Sequence, residues 1–257
     1  MVIFMLKLTF VDFEKLPCLI DQYECVRLLT PHTVVKLAFG ITPERMAGLS
    51  QKYIEGSALP VDYCQIAEQT FLYTMPKIDG LNLSQYAFHN LSDLTDCFTL
   101  ALQTLKEFHQ NDIYPSDIHE GNIIFDGTRL GFIDLEEAGC DDLMPIKHFW
   151  HKKRLKNVYD LPIDERQKSI LVGKMQLLHL FLSATSSGVC HLDYDTIAEI
   201  GELSPETQNY FNYLFDHPAM ISEDDYLEDA IAVLHTHENK TLKKKMDDSS
   251  VRMMPVW

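Results

Sequence analysis

The chain has 257 residues and carries 22 Lys plus Arg against 38 Asp plus Glu, a formal charge of -16. That length suits one domain, or one domain of two lobes, and so acidic a chain repels a phosphate backbone, which argues against nucleic acid as its main partner. Cys18, Cys25, Cys64, Cys97, Cys140 and Cys190 are scattered with no Cys-x-x-Cys pair, so reduced, buried thiols are expected instead of a zinc site or disulfide framework.

The apolar opening, Met1 to Phe10, is interrupted by Lys7 and followed by Asp12 and Glu14. It is too short for a membrane span and lacks a basic leader, so it reads as the opening strand of a cytoplasmic protein. From Gln22 to Leu37 two runs rich in Val, Leu and Tyr flank Thr30-Pro31-His32, which predicts a hairpin whose second strand is Thr33 to Ala38. Lys36 lies within that strand. It either faces solvent, with its stem snorkelling along apolar surface, or serves a site. Thr42-Pro43-Glu44 is a helix start, with Thr as N-cap and Pro in the first turn, and the helix is expected to run to Glu55 and stop at Gly56. Phe71 to Met75 reads as a buried strand that runs into the polar turn Pro76-Lys77-Ile78-Asp79-Gly80. Ser92 to Gln110 has a helical stripe at Leu94, Phe98, Leu102, Leu105 and Phe108, with Ser92 as cap and His109 as a packing or capping residue near the end.

The next stretch concentrates the chemistry. Ile123 to Phe125 reads as a short buried strand, Asp126-Gly127 as a hairpin turn, and Leu130 to Ile133 as the returning strand. Asp117 and Asn122 precede this hairpin and Asp134 follows it, so the three side chains should converge at one end of the ribbon. Downstream comes a basic and aromatic patch with His148, His151, Lys152, Lys153, Arg154 and Lys156. It is either a solvated loop or a docking surface for an acidic partner. Helices follow at about Asp164 to Ser183, Ser204 to Phe215 and Ser222 to His235, each opened by Ser or Asp. The tail with Lys243-Lys244-Lys245 lacks periodicity and reads as mobile.

The order Asp117-x-His119-x-x-Asn122, strand, turn, strand, Asp134 resembles the catalytic loop and metal-binding segment of the protein-kinase-like superfamily. The resemblance implies an α+β, two-lobed fold, with a small β-rich N-lobe over 1–76, a helical C-lobe over 77–238 and a tail over 239–257. It implies ATP and magnesium as cofactors and transfer of the γ-phosphate to a hydroxyl of a protein or small molecule. Asp117 takes the role of base toward the attacking hydroxyl, with His119 beside it, while Asn122 and Asp134 take the role of magnesium ligands. Lys36 resembles the strand lysine that neutralises nucleotide phosphates, and Glu44, ahead of Glu55, is its expected partner. Met75 resembles the gatekeeper of the hinge, with the Pro76 carbonyl and the Ile78 N–H reading the adenine edge.

Three departures accompany this likeness. No glycine occurs before Gly40, so the Gly-rich phosphate loop is absent in its usual form. Pro115 stands where the family has His, and Leu135-Glu136 follow Asp134 where protein kinases carry Phe-Gly. His119 resembles the aminoglycoside and choline kinase branch, whereas the short interval from Gly80 to Asp117 resembles the protein kinases and inclines the reading toward a protein Ser/Thr acceptor. A small-molecule kinase, a pseudokinase that binds nucleotide without catalysis, and a nucleotidyl transferase remain as alternatives.

Overall fold

The computed structural model describes residues 7–19, 25–88, 91–145, 155–187, 205–222, 229–230 and 232. Strands β1 (Val26–Thr30), β2 (Thr33–Phe39), β3 (Asp62–Ala67) and β4 (Thr70–Pro76) form an antiparallel sheet in the order β1-β2-β4-β3. Successive side chains of a strand point to opposite faces, and both faces of this sheet are covered. Val34, Ala38, Phe71, Tyr73 and Met75 pack with Met46 of helix α2 (Pro43–Leu49), while Val35 and Leu72 pack with Phe13 of helix α1 (Phe10–Glu14). The same alternation sets Lys36 on the face shared by Val34 and Ala38.

Beyond the sheet the described residues are mainly helical. Helix α3 (Leu91–Gln110) packs on α5 (Glu165–Ser187), with the Phe98 and Phe181 rings edge to face at 4.8 Å. The short strand β5 (Leu81–Asn82) precedes α3, and between the two helices the chain forms β6 (Ile113–Tyr114), β7 (Ile123–Phe125), β8 (Leu130–Phe132), β9 (Gly139–Cys140) and then α4 (Lys156–Tyr159). β5, β7 and β8 make one sheet and β6 and β9 another. Phe132 of β8 meets the Phe108 ring of α3 at 5.4 Å and 90°, which seats the β7–β8 hairpin on the long helix. Helix α6 (Pro205–Asp216) and a 3-10 turn, Pro218–Ser222, follow.

The expected hairpin turn is present. Asp126 Oδ1 accepts the backbone N–H groups of Thr128 and Arg129 at 2.9 and 2.7 Å, and Gly127 sits at φ 95°. Several boundaries move. Thr9 and Asp12 form a capping box that opens α1, so the expected strand over Met1 to Phe10 gives way at its end to a helix start; residues 1–6 lie outside the described set. Helix α2 stops at Leu49 instead of Glu55, because the chain turns to bury Ile54 and Leu59 and to bond the hairpin, with Phe132 N–H donating to the Gly56 carbonyl at 2.8 Å. A Cβ at Gly56, at φ 73°, would stand 2.5 Å from the Leu130 carbonyl oxygen. α3 begins at Leu91, so Ser92 lies inside its first turn. The sequence reading had no strand at β3.

Asp164 caps α5 as expected, its Oδ1 accepting from Gln167 N–H at 2.8 Å. The expected helix from Ser222 to His235 falls mostly outside the described residues, as do the 239–257 tail and the basic patch apart from Lys156, which pairs with Asp160. Five cysteines are described; all are free, and Cys97 and Cys140 are buried. Among the described residues, no helix is long and apolar enough to cross a membrane.

Candidate active site

The loop from Pro115 to Gly121 joins β6 to β7 and carries Asp117. Its backbone is fixed from behind by a buried amide on α5. Gln176 Nε2 donates to the Ser116 carbonyl at 3.0 Å, and its Oε1 accepts the Ile118 N–H at 3.2 Å. The peptide groups on either side of Asp117 are thus tied to one side chain of the helical core. Asn122, also buried, donates from Nδ2 to the Asp117 carbonyl at 3.0 Å, which turns its amide oxygen the other way. The Ile133 N–H donates to the Asn122 carbonyl at 3.0 Å, so the two arms of the hairpin present Asn122 and Asp134 together. Asp117, Asn122 and Asp134 line one narrow cleft with Ser116, Ile133 and Glu137.

His119 flanks Asp117. Its Nδ1 accepts the Gly121 N–H at 3.0 Å, so a neutral ring carries its proton on Nε2, and that nitrogen faces Asp117 Oδ2 at 3.8 Å. A Cβ at position 121 would lie 2.8 Å from the His119 ring, so only glycine leaves this imidazole in place.

Asp134 sits at φ 57°, a left-handed conformation uncommon for a residue other than glycine and concentrated at functional sites. Its carboxylate meets the Lys36 ammonium at 2.8 Å, and Glu136 Oε1 meets the same ammonium at 2.5 Å. Tyr73, opposite Lys36 in the β2–β4 register, donates its hydroxyl to Glu136 Oε2 at 3.0 Å. Burial on its own would lower the Lys36 ammonium, but the Glu136 and Asp134 charges outweigh it and hold the group above its ordinary value. Burial and then those same charges push the Tyr73 phenol well up, so it is a neutral donor.

Lys36, Asp117, His119, Asn122 and Asp134 are therefore brought together, whereas Glu44 is not. The buried face of α2 is Arg45, Met46 and Leu49, which turns Glu44 outward, and the carboxylates paired with Lys36 are Asp134 and Glu136. Glu55 lines a different cleft, with Lys77, Asp79 and Glu107. At the end of β4, Met75 is buried, and the Lys77 N–H donates to the His32 carbonyl at 3.0 Å. The Pro76 carbonyl belongs to the same trans peptide as that N–H and so points the opposite way, and Ile78, beyond the strand, packs against the cluster that holds Met75. Arg45 uses its guanidinium on the Glu137 carbonyl at 3.2 Å, the Met144 carbonyl at 2.5 Å and the Ala138 carbonyl. With the Lys52–Asp141 ion pair at 2.7 Å, it fastens the segment after Asp134 to the region of α2.

Gln176, Glu136, Tyr73 and Arg45 escaped the sequence reading. One available signal was Gln176, which with Lys174 and His179 interrupts the otherwise apolar stretch from Leu171 to Leu182.

No family model matches the sequence, and no curated protein matches it. Among solved structures, the chain is similar to the twitchin kinase region from C. elegans, with a TM-score of 0.54 at 12% identity, over 85% of this chain and 45% of that one. The chain thus spans less than half the length of that structure. The likeness shows the fold: an antiparallel sheet followed by helices, in the two-lobed arrangement of a protein kinase.

Proposed function

We propose that the chain is an ATP-dependent phosphotransferase that uses magnesium to move a γ-phosphate to a hydroxyl, with a protein Ser/Thr side chain as acceptor. The observation that supports it is the convergence of Asp117, Asn122 and Asp134 on one cleft, with Lys36 joined to Asp134 by an ion pair. The donor set suits magnesium, a hard cation that commonly takes one or two protein carboxylates and completes its shell with phosphate oxygens and water. Asp134 offers one exposed carboxylate and Asn122 one amide oxygen. Among the described residues no group of three His, Cys, Asp or Glu could hold a metal by itself. When bound, the ion would neutralise phosphate charge as it develops during transfer.

Asp117 accepts the proton of the attacking hydroxyl as that oxygen bonds the γ-phosphorus and the bond to the bridging oxygen of departing ADP breaks. Gln176 keeps that carboxylate in place through the peptides on either side of it. His119 limits its sideways movement, and Lys36 presents a fixed positive charge to the phosphates. The Pro76 carbonyl and Ile78 N–H serve the adenine edge. Only residues 83–90 separate β5 from α3, which leaves no room for an inserted helical substrate segment and favours a protein acceptor over a small molecule.

A second reading, a nucleotide-binding module without catalysis, is favoured by the absence of any glycine before Gly40 to form a phosphate loop. Labelled ATP separates the readings. Incorporation from the γ position into a protein substrate supports the proposal, incorporation from the α position indicates nucleotidyl transfer, and binding without incorporation indicates the module.

A further inference from the structure

We infer that Glu136 is a positioning residue that holds Lys36 in the cleft, in the place of a glutamate on α2, and keeps it there when Asp134 turns to a metal ion. This rests on the phosphotransferase reading above. The two carboxylates on Lys36 differ in what else they can do. Glu136 has only 11% of its side chain exposed, and both its oxygens are engaged, Oε1 by Lys36 at 2.5 Å and Oε2 by the Tyr73 hydroxyl at 3.0 Å. Asp134 has 44% exposed and meets Lys36 through Oδ1 at 2.8 Å. The exposed carboxylate is available to a cation from the cleft; the buried one is committed to the lysine.

Lys36, with 8% of its side chain exposed, needs that commitment, because a buried ammonium that loses its partner is costly. If Asp134 were its sole partner, Lys36 would compete with the metal for the same oxygens. Glu136 removes the competition. It sits on the same segment as Asp134, two residues on, so the lysine and the metal ligand are set by one stretch of backbone. Helix α2 contributes indirectly, through Arg45 on the carbonyls of Glu137, Ala138 and Met144.

The test is equilibrium binding of ATP, with and without magnesium, to wild type, Glu136→Gln, Lys36→Met and the double variant, each checked for its fold by circular dichroism. Glu136→Gln keeps an acceptor for Tyr73 and removes the charge that faces Lys36. It should weaken ATP binding about tenfold with magnesium present, the scale of one charge-assisted contact, and by less without it, since Asp134 then stays on the lysine. In the Lys36→Met background the same change should alter binding by less than about twofold, the signature of a residue that acts through its neighbour. Glu136→Asp should recover part of the loss. Tyr73→Phe, which removes one hydroxyl, should weaken binding about twofold to threefold and serves in place of Glu136→Gln if that variant does not fold.

An unchanged affinity in Glu136→Gln, while Lys36→Met is weakened, overturns this inference alone. So does an equal loss in both backgrounds. A wild-type protein that binds no ATP overturns the phosphotransferase reading and the inference with it.

Discussion

Replacing Gln176 by Leu tests whether the α5 amide fixes the 115–121 loop that carries Asp117. The side chain is fully buried and serves two backbone groups, the Ser116 carbonyl and the Ile118 N–H, at 3.0 and 3.2 Å. Leucine has similar bulk, so the space is filled while both groups lose this partner. A buried polar group left unsatisfied costs about 1–3 kcal/mol, so two cost roughly 4. The extra apolar burial of Leu returns about 1–2 kcal/mol, which leaves a net loss of about 2–3. For a chain of this size each kcal/mol moves Tm by about 2–4 °C, so differential scanning calorimetry should show a fall of roughly 4–12 °C. Well below that transition, with the fold intact by circular dichroism, γ-phosphate transfer should drop by about 10² or more, because small misplacement of a reacting group is expensive. A Tm within 1 °C of wild type would refute the structural reasoning whatever the activity. A lowered Tm with full activity would refute the link from Gln176 to Asp117.

Asp134→Asn should abolish magnesium-dependent transfer while leaving Tm within about 2 °C, since one ligand charge is lost at an exposed position; turnover at the wild-type rate would remove Asp134 from the metal role. Arg45→Met takes the donor from three backbone carbonyls and should cost about 2–4 kcal/mol in urea denaturation, with faster hydrogen exchange over residues 138–143. Equal exchange in that segment would show that it is held by something else. Activity should survive phosphatase treatment, verified by mass spectrometry, because residues 135–163 contain no Ser or Thr and Arg45 and Lys52 tie down Glu137, Ala138, Asp141 and Met144; collapse reversed only by phosphorylation of Tyr159 would contradict this. Burial, followed by the Asp141 carboxylate, raises the Cys140 thiol to about 11, and burial pushes the Cys97 thiol well up. Both should resist alkylation at pH 8 in the folded protein and react after denaturation, as read by peptide mass spectrometry.

Elements whose causes lie within a few residues were legible in the chain. The Asp126-Gly127 turn closes because the Asp126 carboxylate accepts the N–H groups of Thr128 and Arg129 and Gly127 takes a left-handed conformation. Thr42-Pro43 starts α2, and the stripe from Leu94 to Phe108 builds α3. The spacing of Asp117, Asn122 and Asp134 around the hairpin was enough to foresee that they would meet. Partners chosen across long stretches of chain were decided by the tertiary structure. Which face of α2 turns inward depends on how Met46 and Leu49 fit the sheet and core, and that fit buries Arg45 and sends Glu44 into solvent. Lys36 therefore finds its carboxylates a hundred residues away, on the backbone that carries Asp134. The expected end of α2 at Glu55 failed for the same reason: burying Ile54 and Leu59 and bonding Gly56 to Phe132 outweighs the local preference to continue a helix. The amide of Gln176 reaches the loop that carries Asp117 only once α5 has packed beneath it. Local chemistry sets turns, caps and periodicity; the pairing of buried charges and amides is set by the packing that removes them from water, and one window of sequence does not contain it.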